Sequence, residues 1–352
     1  MTRHIVFVGA GAVGGYVGAH LARTGQDIAL VDPWPQHVNA INREGMHLGG
    51  SQGEHIVRAR AMHIHEVQGF VRKPIDIAII CTKSYDTEWA ARMIKQYLKP
   101  EGYIVSMQNG INEERIAGVV GWGKTVGCII STISVNCFKP GHISRYQEPG
   151  GNKHTVFRVG EVHGRITART TELAGILSAV DSANVTQNLW GERWTKLTAN
   201  TITHGLLGVT GQDNRTVYLE RGRAHRIGIK LAAEAVAVGR AQGYQLGTVL
   251  GIAADDWLQA DKGEAAALSA VRDGLTAWMA TLLEPSQSSV GRDVARGRRS
   301  EIDFTNGLVV DKGAEVGVPA PTHAALTALV RQIDRGELQL DPKHIEQLPL
   351  AR

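Results

Sequence analysis

Over the first 130 or so residues, short β-branched runs alternate with stretches of helical spacing. The runs are "HIVFVG", "DIALVD", "IDIAIICT", "YIVSMQNG" and "TVGCIISTI", and "AVGGYVGAHLARTG" between the first two has the period of a helix. Strands separated by helices are the pattern of a parallel sheet built from βαβ units. The segment "MHLGGSQGEHIVRARAMHIHE" predicts a hairpin excursion. Residues 131–162 carry Pro, Gly and alternating positions, and predict antiparallel strands that finish the first domain's sheet. From about Asn188 the pattern changes. "LWGERWTKLTANTITHGLLG", "RAHRIGIKLAAEAVAVGRAQG", "GEAAALSAVRDGLTAWMATLLE" and "APTHAALTALVRQIDRG" all place apolar residues at i, i+3 and i+4, without comparable strand runs. The expected organisation is an α/β domain over 1–187, an all-helical domain over 188–340 and a fraying tail over 341–352. No repeat of fixed period is present.

Composition narrows the classes. A chain of 352 residues exceeds what one core fills, which agrees with two domains. With 43% hydrophobic and 20% charged residues and no long biased tract, it reads as globular rather than disordered. The net charge of +4 is scattered, dense only in "GRDVARGRR", and suits an anionic cofactor and substrate. Aromatics are 5% and interleave with no basic stripe, so nucleic acid is not an expected partner. The first strand begins almost at once, leaving no charged region or cleavage site for a leader, and no apolar run reaches 18 residues. A soluble, cytoplasmic protein without membrane contact is expected. Cys81, Cys128 and Cys137 form no disulfide or zinc pattern, and two of them sit in apolar runs as small hydrophobes do. His63 and His65 share a strand face but lack a third ligand nearby, so no metal is expected.

The glycines of "GAGAVG" carry the first chemistry. Gly9, Gly11 and Gly14 form G-x-G-x-x-G between a strand and a helix, with Ala12 and Val13 inside the turn. In that context the first glycine permits a tight turn, the second lets backbone approach a pyrophosphate, and the third lets helix and strand pack closely. Unpaired N–H groups at the helix start then face the anion. Asp32 ends the second strand, where an acid receives the adenosine ribose hydroxyls. Its charge repels a 2′-phosphate, and the following "PWPQ" offers no Arg or Lys, so NAD is expected rather than NADP.

Further candidates follow the strands. Lys83 comes after "IDIAIICT" and Asn109 lies in "QNG", both at strand ends where ligands of open α/β sheets bind, although an exposed lysine and an ordinary turn explain them as well. In "RWTKLTANTITH", Lys196, Asn200 and His204 recur every four residues and line one helix face. A solvated face is the plain reading of such a stripe. In a partly desolvated cleft, however, the lysine has its pKa lowered toward the working range and serves as general acid to an alkoxide. Ser289 and Glu301 fall near a helix start and in an amphipathic stretch.

The ordered set of "GAGAVGG", Lys83 in "CTKS", Asn109 in "QNG", W-x-K-x-x-x-N from Trp194 to Asn200, Ser289, "EIDFTNG" from Glu301 and "GVPAPTH" resembles the ketopantoate reductase family, the 2-dehydropantoate 2-reductases and related 2-hydroxyacid dehydrogenases. The resemblance covers nearly the whole chain. It implies a Rossmann dinucleotide-binding domain followed by an all-helical substrate and dimerisation domain, and a homodimer. It makes Lys196 the general acid that protonates the carbonyl oxygen and gives Glu301 a substrate hydroxyl to bind and the lysine to orient. Asn109 falls where cofactor and substrate meet, Lys83 on the cofactor side, and Asn200 and Ser289 on the substrate side.

Three positions depart from the family pattern. His204 stands where a second asparagine is frequent, Ser286 stands where an asparagine can hold the carboxylate, and Asp32 replaces the basic residue of NADPH enzymes. His204 contacts substrate, tunes Lys196 or is a satisfied helix-face histidine; the three readings stay open. The stretch Leu246 to Glu264 is longer than the family needs and offers chain to enlarge or cover the pocket. The expected activity is NAD-dependent interconversion of a 2-hydroxy acid and its 2-keto acid. The alternatives are an NADPH-dependent 2-dehydropantoate 2-reductase of pantothenate biosynthesis and a non-catalytic NAD sensor. Opine and β-hydroxyacid dehydrogenases share the plan but not the ordered motifs.

Overall fold

The computed structural model describes residues 3–213, 217, 222–281 and 288–350. The chain divides into two compact units, the first running to Leu189 and the second starting at Trp190.

The first unit is a mixed α/β body. Its main sheet contains β1 (His4–Val8), β2 (Asp27–Asp32), β5 (Arg60–His63), β6 (Ile75–Ile80), β7 (Leu98–Ser106), β8 (Thr125–Ile130), β11 (Phe157–Glu161) and β12 (Ala183–Thr186). Their order is β12-β11-β8-β7-β6-β1-β2-β5. The pairs from β8 across to β5 are parallel, and β11 turns antiparallel against β8. β1, β6 and β8 are buried at every position, as continuous Val and Ile runs are when helices cover both faces of a sheet. The strand order reverses at β1, so the crevice that open α/β sheets use for ligands lies at the carboxyl ends of β1 and β6. Helices α1 (Ala12–Arg23), α2 (Pro35–Glu44), α3 (Thr87–Lys95), α4 (Glu113–Val120) and α5 (Ala168–Leu177) accompany the strands.

Two strand expectations need correction. Residues 131–162 do not all finish the main sheet: β9 (Val135–Lys139) and β10 (His142–Arg145) join β3 (Met46–Gly50) and β4 (His55–Val57) in a separate sheet ordered β4-β3-β10-β9. Only β11 takes the antiparallel place expected. The predicted excursion likewise holds one hairpin, β3 with β4, while β5 returns to pair parallel with β2. Period-2 alternation specifies a covered face without naming what covers it. Here that cover is α1: a Cβ at Gly15 would meet the Ile143 Cδ1 atom at 2.5 Å and the Met46 Cε atom at 3.1 Å. Arg145, fully buried at the end of β10, is paired with Asp181 at 2.6 Å.

The second unit is helical: α6 (Leu189–Thr210), α7 (Arg223–Ala241), α8 (Ala254–Asp261), α9 (Ala265–Ala280), α10 (Ser289–Ala295), α11 (Asn306–Glu315) and α12 (Pro321–Asp334). Trp194 and Trp257 are its largest buried side chains. Gly239 lets α7 approach Trp194, since a Cβ there would lie 2.3 Å from the indole, whose N–H donates to the Ala235 carbonyl at 2.7 Å. Part of the long stretch from Leu246 builds core. Val249 and Ile252 close a tight turn, and α8 behind it buries Trp257, whose indole N–H reaches the Val249 carbonyl. The tail also departs from expectation. Residues 342–347 form a 3-10 helix, Leu348 is buried, and Arg223 donates to the carbonyls of Ile345 at 3.0 Å and Leu348 at 2.7 Å. No helix among the described residues is long and apolar enough to cross a membrane.

Candidate active site

In the first unit the loops after β1, β2, β6 and β7 meet at one end of the sheet. The Gly9 N–H donates to Val31 at 2.8 Å and the Cys81 N–H to Val8 at 2.8 Å, which staples the three strand ends together. Each glycine has its own constraint. Gly9 has φ of +97°, and a Cβ on it would lie 2.8 Å from the Thr82 nitrogen. A Cβ on Gly14 would lie 2.0 Å from the Gly9 carbonyl oxygen and 2.9 Å from the Cys81 Cβ. A Cβ on Gly11 would meet nothing within 4 Å, so this residue, the N-cap of α1, faces open space. Gly11, Ala12 and Val13 are partly exposed. That leaves the first-turn N–H groups of α1 beside an opening, the arrangement that takes an anion.

Asp32 is buried, and both of its carboxylate oxygens are engaged by backbone. Its Oδ2 accepts the Ala10 N–H at 2.7 Å and its Oδ1 the Trp34 N–H at 2.9 Å, so it braces the glycine loop. Each carboxylate oxygen retains a lone pair for a further donor. Cys81 packs beneath Gly14, and burial pushes its thiol well above the usual range, which fits the inert hydrophobe read from sequence.

Lys83 lies on the β6 loop, directly ahead of the 3-10 turn Ser84–Asp86, and Asn109 on the β7 loop. Residues not singled out from sequence hold these loops. Gln108 donates its amide to the Thr82 carbonyl and the Thr87 hydroxyl, each at 2.9 Å. The Asn109 carbonyl accepts from Ser84 at 3.2 Å and from the Asn112 amide at 2.9 Å. The Thr82 hydroxyl is buried with no hydrogen-bond partner among the described residues, an orphaned polar atom beside the glycine loop. The polar flanks of "CTKS" and "QNGIN" were the available signal.

In the second unit α6 carries Lys196, Asn200 and His204 at successive fourth positions. Thr195, next to the lysine, accepts the Gly247 N–H at 2.9 Å and so ties the Gly247 loop to α6. The Asn200 amide nitrogen is buried without a hydrogen-bond partner among the described residues. His204 and Ser289 come together, Nδ1 to Oγ at 3.0 Å. Ser288 is the cap: its hydroxyl accepts the Gly291 N–H at 2.9 Å and donates to the His204 carbonyl at 3.1 Å. Glu301 is buried ahead of the 3-10 turn Ile302–Phe304, where Asp334 holds its neighbour Ser300 through the hydroxyl at 2.8 Å. Asn306 anchors the following helix, donating to the Thr201 carbonyl of α6 at 3.2 Å and meeting His323 Nδ1 at 3.2 Å. Burial lowers the His323 pKa to about 4, so at neutral pH its Nδ1 accepts from Asn306 while its Nε2 donates to Leu231 at 2.9 Å.

Ser286 lies outside the described residues. The His63 and His65 rings stack 5.4 Å apart, but β5 ends at His63, so they do not share a strand face, and His63 bonds Asn39 at 3.0 Å. Among the described residues no group of three or more His, Cys, Asp or Glu is placed to hold a metal ion.

Comparison with known proteins agrees with this layout. Residues 5–157 match the family model described as ketopantoate reductase PanE/ApbA, and residues 188–334 match its C-terminal model. A 2-dehydropantoate 2-reductase of Pyrococcus horikoshii is 27% identical over 93% of this chain and 96% of its own. That of Archaeoglobus fulgidus is 24% identical over 95% and 99%. The crystal structure of a PanE/ApbA family ketopantoate reductase from Ralstonia eutropha JMP134 superposes with a TM-score of 0.76 at 27% identity, covering 95% of this chain and 99% of that one. The ternary structure of D-mandelate dehydrogenase with NADH and anilino(oxo)acetate has the same fold, at a TM-score of 0.78 and 20% identity over 94% and 99%. With both of its units matched in order, the chain belongs to the ketopantoate reductase family of oxidoreductases.

Proposed function

We propose that the protein is an NAD-linked dehydrogenase that interconverts a 2-hydroxy acid and its 2-keto acid, working in the cytoplasm as a homodimer. The observation that carries the cofactor choice is the buried Asp32 carboxylate bonded to the Ala10 N–H at 2.7 Å, with no basic residue in the "PWPQ" that follows. The open cradle at Gly11, the α1 N–H groups and the orphaned Thr82 hydroxyl fit a dinucleotide's diphosphate, and Lys83 and Asn109 stand at the adjoining strand ends. The bound nicotinamide supplies or accepts the hydride. Lys196 passes the proton to or from the substrate oxygen. Glu301 accepts a substrate hydroxyl and orients the lysine. Asn200 offers its unpartnered N–H to the substrate, and Ser289, held by His204, offers its hydroxyl to the carboxylate. A donor is what an anion requires, so with substrate bound His204 keeps its proton on Nδ1 and leaves the Ser289 hydrogen for the ligand.

A second reading has the curated relatives behind it: those that match nearly end to end are named 2-dehydropantoate 2-reductase. Under that reading NADPH binds tighter than NADH. Titrating both reduced cofactors by nicotinamide fluorescence separates the two; NADH should bind tighter, because the Asp32 carboxylate repels a 2′-phosphate. Asp32→Asn with Pro33→Arg should reverse the order, because a carboxylate about 4 Å from a phosphate costs roughly 4 kcal/mol at an effective dielectric of about 20. An unchanged preference in that variant would remove Asp32 from the explanation.

Ser289→Ala should raise KM for the hydroxy acid about 10- to 100-fold with kcat little changed, the cost of one hydrogen bond to a charged group, about 1.5–3 kcal/mol. A fall in kcat at constant KM would instead place Ser289 on the transition state alone.

A further inference from the structure

His37 is fully buried in the first turn of α2, and neither the sequence motifs nor the proposed chemistry uses it. Its Nδ1 lies 2.9 Å from the Gly141 backbone nitrogen, in the turn joining β9 to β10, and its Nε2 lies 2.8 Å from the Ala10 carbonyl oxygen. A backbone N–H can only donate, so Nδ1 is the acceptor. Nε2 therefore carries the proton and donates to Ala10, which fixes a single neutral tautomer. Trp34 stacks flat on the ring, centroids 5.3 Å apart and planes within 6°, and holds it in that plane.

Ala10 is the residue between the first two glycines, and side chains hold both of its backbone groups: Asp32 the N–H at 2.7 Å and His37 the C=O. The Ala10 C=O and the Gly11 N–H belong to one peptide plane, which is trans, so the two bonds point in opposite directions. Drawing the carbonyl toward His37 turns the Gly11 N–H away from it. Gly11 is the position where an added Cβ meets nothing within 4 Å.

We propose that His37 is a positioning residue for the dinucleotide: by holding the Ala10 carbonyl it aims the Gly11 N–H at the diphosphate, and by accepting from Gly141 it ties that aim to the small sheet. This rests on the glycine loop binding the cofactor, as proposed above. The arrangement gives the small sheet a role beyond covering α1, since it supplies the Gly141 N–H that selects the working tautomer.

The test compares His37→Asn with His37→Gln. Asparagine places its amide oxygen near the Nδ1 position and keeps the Gly141 bond, but does not reach Ala10. Glutamine carries an N–H donor as far as the Nε2 position. Reduced-cofactor dissociation constants and kcat are measured for wild type and both variants, together with Tm. The expected result is a dissociation constant raised about tenfold in His37→Asn, corresponding to about 1.4 kcal/mol. It should return most of the way in His37→Gln, with kcat at saturating cofactor close to wild type in both. Equal affinities in the two variants, or affinities that simply follow Tm, would overturn the positioning role. Wild-type protein that binds neither NADH nor NADPH would instead refute the cofactor reading itself, a separate outcome.

Discussion

Lys196→Ala should lower kcat by about 10² to 10⁴ while the cofactor dissociation constant stays within twofold of wild type. The lysine stands one residue beyond Thr195, whose hydroxyl fixes the Gly247 loop, and one helical turn before the orphaned Asn200 amide. In the proposed mechanism it handles the proton at the substrate oxygen. An alkoxide that develops without a donor at its oxygen loses stabilisation found only in the transition state, so the loss falls on kcat. The glycine loop and Asp32 are held by bonds within the first unit, which the substitution leaves alone. Arginine at 196 keeps the charge but cannot give up its proton, so Lys196→Arg should be nearly as impaired. Stopped-flow cofactor binding beside steady-state rates checks both halves. Parallel losses in binding and turnover would show that the lysine supports the structure rather than the proton transfer.

The second large effect is on stability. Asp181→Asn should destabilise the first unit by about 3–5 kcal/mol, because it leaves the Arg145 guanidinium buried without a counter-charge. Both side chains are at most 1% exposed, with Nη2 2.6 Å from the carboxylate. Asp181 also accepts the N–H groups of Gly150 at 2.9 Å and Ser182 at 2.6 Å, while Arg145 donates to the carbonyls of Gln147 at 2.7 Å and Glu148 at 3.1 Å. The pair thus closes two loops beneath the Tyr16 ring of α1, over which Arg145 sits at 5.9 Å. Burial acts to raise the Asp181 pKa, but the Ser182 N–H and Arg145 outweigh it, and the carboxyl is held below its usual range. A depressed native pKa means that this stabilisation is present above the ordinary aspartate value of about 3.9 and is lost as pH falls through the native value. Thermal unfolding between pH 3 and 7 should therefore show an acid-side slope in wild type that Asp181→Asn flattens. At about 2–4 °C per kcal/mol, the neutral-pH Tm should drop by roughly 6–20 °C. A variant with wild-type Tm and slope would show that the pair contributes nothing net.

What the sequence revealed depended on how local the physics was. The glycine loop and Asp32 were legible because a strand, a turn and a helix start occupy adjacent residues, and Gly14 answers to the Gly9 carbonyl only five residues back. The stripe Lys196, Asn200, His204 was legible because a helix repeats every 3.6 residues. The small sheet was not, since alternation marks a face to be covered while leaving β10 equally able to extend the main sheet or to pair with β3. His37 was invisible for a related reason: its Ala10 and Gly141 partners lie 27 and 104 residues away and are backbone atoms, which any residue type supplies, and the Cys137 sulfur 3.9 Å from its Nδ1 is 100 residues away. The tail misled similarly, because Arg223 fastens it through carbonyls that leave no mark on composition. His204 illustrates the intermediate case. Its helix face was read correctly, but its partner Ser289 is 85 residues on, and only the fold joins them.

Initial rates decide directly between an NAD-linked hydroxy acid dehydrogenase and an NADPH-linked ketopantoate reductase. NAD⁺ and NADP⁺ are run against a panel of 2-hydroxy acids that includes pantoate, and NADH and NADPH against the matching 2-keto acids. NAD-linked turnover of a 2-hydroxy acid is expected, with Asp32 excluding the phosphorylated cofactor and His204 with Ser289 shaping the carboxylate site. Turnover confined to NADPH and ketopantoate would contradict it.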